Sequence, residues 1–89
     1  MTTHDEFLFS LARSCATSTG SSLNEMRGRC KDAKTVKARE QFAYRGNNLG
    51  YSFPTLGRFL HKDHSSMVLA YHRYAKANDL EPQGINEPV

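Results

Sequence analysis

Two helix starts a short distance apart, at Ser52 and Asp63, constrain this chain more than any other feature. Ser52 is a good N-cap, and Pro54 falls in the first turn, where its missing N–H costs nothing, so a helix is expected from about Phe53. Leu56, Phe59 and Leu60 follow at i, i+3 and i+4 and give it one apolar face. Asp63 is the next N-cap. Its carboxylate is expected to accept the free N–H of Ser65 or Ser66 and to favour the positive end of a second helix dipole. On that second helix Met67 or Val68, Tyr71, and Tyr74 or Ala75 continue an apolar stripe to Asn78. Lys62, His64, Ser65, Ser66 and Leu69 are left near its outer or N-terminal side. A short helix, a tight basic turn and a helix opening in small polar residues make a helix-turn-helix pattern.

The remainder of the chain reads as helix as well. Thr3 and Glu6 have capping-box spacing, and Phe7, Leu8, Leu11, Ala12 and Cys15 repeat at helical intervals, which predicts a first helix over 4–17. Ser22 and Glu25 form a second capping box for a short helix through Met26 that Gly28 can stop. Residues 27–31 are then a basic, glycine-hinged loop. Asp32 caps a longer helix from 33 to 47 or 48, with Val36, Ala43 and either Phe42 or Glu40 inward and Lys34, Lys37 and Arg45 outward. Residues 46–48 make its end ragged. No convincing strand occurs, so the expected fold is all-α with about five helices. Residues 1–78 form the domain, and 79–89 form a flexible acidic tail.

The chain of 89 residues has room for one modest core, with 38% apolar residues and a mean hydropathy of −0.63. No run is long and apolar enough for a membrane span, and nothing at the start resembles a signal peptide, which points to the cytoplasm or nucleoid. Cys15 and Cys30 suit reduced, buried thiols on amphipathic helices rather than a disulfide framework. Charge is informative in its distribution. All 12 Lys and Arg lie within residues 13–76 with only four acids, a net of +8, while Asp5 and Glu6 precede them and Asp79, Glu81 and Glu87 follow. A basic span beside a helix-turn-helix is the footprint of nucleic-acid binding.

Short donors and acceptors at a helix N-terminus suit a major groove, where long apolar side chains would block the base edges. The same stretch resembles the C-terminal DNA-binding domain of the bacterial replication initiator DnaA and its stand-alone relatives. That family carries Ser-Leu-Pro-x-Ile-Gly-x-x-Phe-x-x-Arg-Asp-His-Thr-Thr-Val. This chain offers Ser52-Phe53-Pro54, Leu56-Gly57 and Lys62-Asp63-His64-Ser65-Ser66-Met67, with Ala38-Arg39-Glu40 where the family has Ala-Arg-Gln.

The resemblance covers residues 5–77 and implies a Trp-repressor-like domain. It also implies base contacts from Asp63, His64 and Ser65, a phosphate contact from Ser66 and entry of Lys31 into the minor groove. Ser52 and Pro54 belong to the same DNA-binding set. The chain departs from the family in a spacing from Gly57 to Asp63 that is one residue shorter, serines for both threonines, and lysine for the minor-groove arginine. The docking mode carries over; the target sequence does not.

Arg29 and Lys34 join Lys31 as expected backbone or minor-groove contacts, and Arg58 and Lys62 as phosphate clamps beside the turn. Tyr71, Tyr74 and Phe59 read as core rather than stacking platforms for single strands. His61, Asp63, His64 and His72 invite a metal reading. A zinc site needs three or four converging ligands, and these spread from the turn to two turns down the helix, so no metal is expected. Ser10, Ser65 and Ser66 with the histidines lack the surroundings of a hydrolytic triad, and no phosphate-binding G-x-x-x-x-G-K-[S/T] occurs. Neither enzyme activity, a cofactor nor a small-molecule substrate is expected.

The expected partner is double-stranded DNA, bound sequence-specifically. Stand-alone relatives in phages and gene transfer agents suggest a transcription activator working with a partner that engages RNA polymerase. The alternatives are a replication-control protein occupying initiator sites, and a non-DNA adaptor whose basic face meets an acidic protein. The tail and the first helix around Phe7, Phe9 and Leu11 are candidate docking surfaces for the partner.

Overall fold

The computed structural model describes the backbone of residues 3–78 and side chains from Glu6 onward. The Thr3 side of the first capping box and the 79–89 tail therefore lie outside the described residues. Five helices follow in order: α1 (Thr3–Thr19), α2 (Leu23–Arg27), α3 (Ala33–Asn48), α4 (Phe53–Phe59) and α5 (His64–Ala77). The all-α expectation holds.

Helix α1 runs further than the predicted 4–17 because its end is well capped. Gly20 takes a left-handed φ of 82°, its N–H bonds the Thr17 carbonyl at 3.3 Å, and the Ser21 N–H reaches Ala16 at 2.8 Å. That pairing is a Schellman motif, the usual way a helix satisfies its last carbonyls. The Thr19 hydroxyl adds bonds to Cys15 and Ala16. Helix α2 starts at Ser22, whose Oγ accepts the Glu25 N–H as expected, and ends at Gly28, whose N–H returns to Asn24 and Glu25.

Helix α3 is the axis of the molecule, packed mainly against α1 and α5, while α4 lies largely on α5. Phe42, Phe53, Leu56, Leu60, Met67, Met26 and Tyr71 are fully or almost fully buried. Each burial of this kind is worth roughly 1.5–3 kcal/mol. Their rings interlock: Phe42 stacks on Phe59 at 5.8 Å, Phe53 meets Tyr71 edge-on at 5.6 Å, and Tyr44 stacks on Tyr71 at 5.0 Å. The core reading of Tyr71 is correct, and Tyr74 and Phe59 are half-buried.

Several inward faces differ from the periodic reading. On α3 the fully buried residues are Thr35, Ala38, Phe42, Ala43, Gly46 and Asn47, whereas Val36 and Glu40 are only half-buried. The supposedly ragged end is part of the core, since the Asn47 amide donates to the Tyr51 carbonyl at 3.0 Å and holds the connection to α4. Phe7 was placed on the apolar stripe of α1 but is 47% exposed, stacked on Tyr51 at 6.0 Å. Phe9 is 43% exposed and leans edge-on against Phe59. Cys15 is buried, but Cys30 lies half-buried in the α2–α3 connection rather than on a helix.

Candidate nucleic-acid interface

The helix-turn-helix is built from caps and one tight crossing. Ser52 Oγ accepts the Thr55 N–H at 3.4 Å and shares a 2.9 Å bond with the Thr55 hydroxyl, with Pro54 in the first turn. Helix α4 then stops in a second Schellman arrangement. The Lys62 N–H reaches the Gly57 carbonyl at 2.7 Å and the His61 N–H reaches Arg58 at 3.2 Å. His61 occupies the left-handed position with φ 58°, a place that normally favours glycine. Gly57 permits the crossing, because a Cβ there would stand 2.7 Å from the Lys62 carbonyl oxygen and 3.2 Å from Asp63 backbone atoms.

Asp63 is the N-cap of α5 by backbone, its carbonyl accepting from Ser66 and Met67, but its carboxylate makes no capping bond. The same holds for Asp32 at α3. Both carboxylates were expected to cap, and Asp63 instead extends into solvent. Asp63, His64, Ser65 and Ser66 are all exposed at the start of α5. A carboxylate can accept from a cytosine amino group, while hydroxyl and imidazole groups can donate or accept.

The basic loop lies against this turn, although it is some 30 residues away in sequence. Lys62 Nζ donates to the Gly28 carbonyl at 2.6 Å. Arg27 Nε donates to the Phe59 carbonyl at 2.9 Å, with its guanidinium 4.5 Å from the Phe59 ring centre. Arg39 donates from Nε to Met26 and from Nη2 to Glu25 and Gly28, at 2.8 to 2.9 Å, so it closes the carbonyl end of α2. Burial, reinforced by the Arg39 and Arg29 charges, pulls the Lys62 ammonium below the usual lysine range.

These bonds reassign roles. Lys62 was expected to clamp a phosphate, and its ammonium is engaged with the α2 end. Arg29, Lys31, Lys34 and Arg58 are exposed. Arg27 and Arg39 were given no contact role, and the signal for Arg39 was only its place in Ala38-Arg39-Glu40. The connection between α2 and α3 is further held by a chain of hydroxyls: Cys30 Sγ donates to Thr35, Thr35 shares a bond with Ser21, and Ser21 donates to Glu25. Among the described residues, the possible metal ligands that gather are Glu25, Cys30 and Asp32, within 4.8 Å of one another, and not the histidines of the turn and α5.

Farther along α5 the outer face carries Leu69, His72, Arg73 and Lys76, all exposed. Helix α5 itself contains no acidic residue. The chain matches no family model, no characterised protein and no solved structure. No helix among the described residues is long and apolar enough to cross a membrane.

Proposed function

We propose that this chain binds duplex DNA sequence-specifically, with the start of α5 in the major groove and the 27–31 loop, with Lys34 at the start of α3, on the adjacent backbone or minor groove. One observation carries the reading: Lys62 and Arg27 pin the basic loop to the helix-turn-helix, which brings a segment with exposed cations close to the turn that precedes the exposed short polar groups of α5. Polar groups at a helix N-terminus can read base edges, and flanking cations release counterions from phosphates. The resemblance to the DnaA DNA-binding domain supports the same docking mode. Asp63, His64 and Ser65 read bases, Ser66 contacts a phosphate, Arg29, Lys31, Lys34 and Arg58 supply the positive flank, and Ser52 and Pro54 set the approach of α4.

The biological role that fits is a transcription activator of the phage and gene-transfer-agent kind, associated with the nucleoid and working with a polypeptide that engages RNA polymerase. Selection of duplexes from a random library, followed by binding at several salt concentrations, tests the DNA reading. One enriched motif and a steep salt dependence are expected. Asp63→Ala and His64→Ala should each lose discrimination by about 1–3 kcal/mol per base contact while the fold persists. Unchanged selectivity in both variants would refute the docking mode. Genomic occupancy at promoters is expected; occupancy confined to an origin would assign the chain to replication control.

A further inference from the structure

Leu69 is 52% exposed on the outer face of α5, one turn beyond the residues already assigned to base reading. It follows Ser65 by four positions and Ser66 by three, so it lies beside them on the same face. It stands as a ridge between two grooves. One, of about 580 Å³, is lined by Pro54, His64, Ser65, Val68 and His72 as well as Leu69. The other, of about 270 Å³, runs along Val36, Glu40, Lys62, Ser66 and Arg73 on the opposite side. The half of Leu69 that faces water can gain burial free energy only from a ligand.

The surroundings select among ligands. The exposed neighbours on α5 are His64, Ser65, Ser66, His72, Arg73 and Lys76; the carboxylates nearby are Asp63, already assigned to base reading, and Glu40 of α3, which lies beside the Arg73 charge. Leu69 is the one large apolar residue exposed on α5, and even with half-buried Pro54, Val68 and Val36 in the flanking grooves the apolar area is small for a protein interface, which needs on the order of 1,000 Å². A second copy docked on this face would set two cationic helices against each other. Duplex DNA complements the charge, and its major groove presents a single apolar group, the C5 methyl of thymine. Ser65 and Ser66 carry hydroxyls and no methyl, so the apolar contact falls to Leu69.

Resting on the DNA reading above, we propose that Leu69 is a specificity-determining residue that packs its isobutyl group on the C5 methyl of a thymine. Ser65 faces the adjoining base pair, and Ser66 stays on its phosphate. Arg73 and Lys76, farther along the helix, meet the phosphate backbone that borders the groove.

The test uses the full chain and a duplex selected from a random library, with each thymine replaced in turn by deoxyuridine, which removes only the C5 methyl. One replacement is expected to weaken parent binding about fourfold, the value of one buried methyl-sized group. The same replacement should cost Leu69→Ala nothing and Leu69→Met nearly the parental amount, with all three proteins melting cooperatively. Equal losses in the parent and Leu69→Ala, or a selected motif without thymine, would overturn the assignment while leaving DNA binding intact. Loss of self-association in Leu69→Ala with no coupling to thymine would overturn it in favour of a second copy. Failure to select any duplex would remove the DNA reading and this inference together.

Discussion

Lys62 Nζ lies 2.6 Å from the carbonyl oxygen of Gly28, so the turn of the helix-turn-helix is bonded to the end of α2 across 34 residues. Arg39 holds the same helix end from the α3 side with three further bonds. Cations at the carbonyl end of a helix satisfy its last acceptors and oppose its negative pole. The basic loop is thereby positioned by side chains whose charge would otherwise be read as surface decoration.

Removing these cations should loosen the loop more than the rest of the fold. Lys62→Ala is expected to cost about 1–2 kcal/mol and Arg39→Ala about 2–3 kcal/mol, the range for bonds from charged donors at partly buried sites. Urea unfolding gives the totals. Amide exchange should rise first in residues 26–31; uniform loss of protection across all helices would show that the bonds do not act locally.

Gly57 and His61 should respond in opposite directions. An alanine in a helix ordinarily gains roughly 0.5–1 kcal/mol over glycine, yet Gly57→Ala puts a Cβ into the Lys62 and Asp63 backbone and should lose about 2–4 kcal/mol. His61→Gly relieves a left-handed residue and should gain up to about 1 kcal/mol. Thermal melts of the two variants decide this, and a stabilised Gly57→Ala protein would contradict the tight crossing.

Arg29 and Lys31 are exposed in the basic loop and Lys34 at the start of α3, so on the DNA reading each alanine substitution should weaken binding to every duplex sequence. The log–log salt slope should fall by about one for each lost phosphate contact. Lys31→Arg should bind at least as tightly as the parent. An unchanged slope after all three substitutions would assign the loop to plain solvated surface.

Burial pushes the Cys15 thiol from 9.0 up to about 11, against a smaller lowering pull from Arg45. The folded state therefore holds this proton longer than the unfolded chain. The corresponding stability is fully present below pH 9 and is lost as pH rises through about 11. Cys15→Ala should flatten that decline in denaturant titrations. In native protein a thiol reagent should modify half-buried Cys30 and reach Cys15 only on unfolding. Equal native labelling of both thiols would contradict the closed core around α1.

Helix starts were legible because capping is local: Ser22, Asp32, Ser52 and Asp63 stand as the N-caps of α2 to α5. The apolar spacing of Leu56 and Leu60, or of Met67 and Tyr71, likewise marks faces that are buried. Side-chain detail at the caps was less legible. Ser22 and Ser52 make the expected bonds, whereas the carboxylates of Asp32 and Asp63 make none, since solvent competes for an exposed charge.

By itself, then, the amino-acid sequence determined five helices, their approximate limits, the turn between α4 and α5, and the exposure of Asp63, His64, Ser65 and Ser66. All of these depend on residues within a few positions of one another. Tertiary structure alone decided that the 27–31 loop lies against that turn, that Lys62 faces Gly28, that Asn47 is core, and that Phe7 stays about half in solvent against Tyr51. Each of those outcomes depends on a partner brought close by packing of α3 between its neighbours. Helical periodicity records which face is apolar, but it carries no information about which distant carbonyl or ring that face will meet.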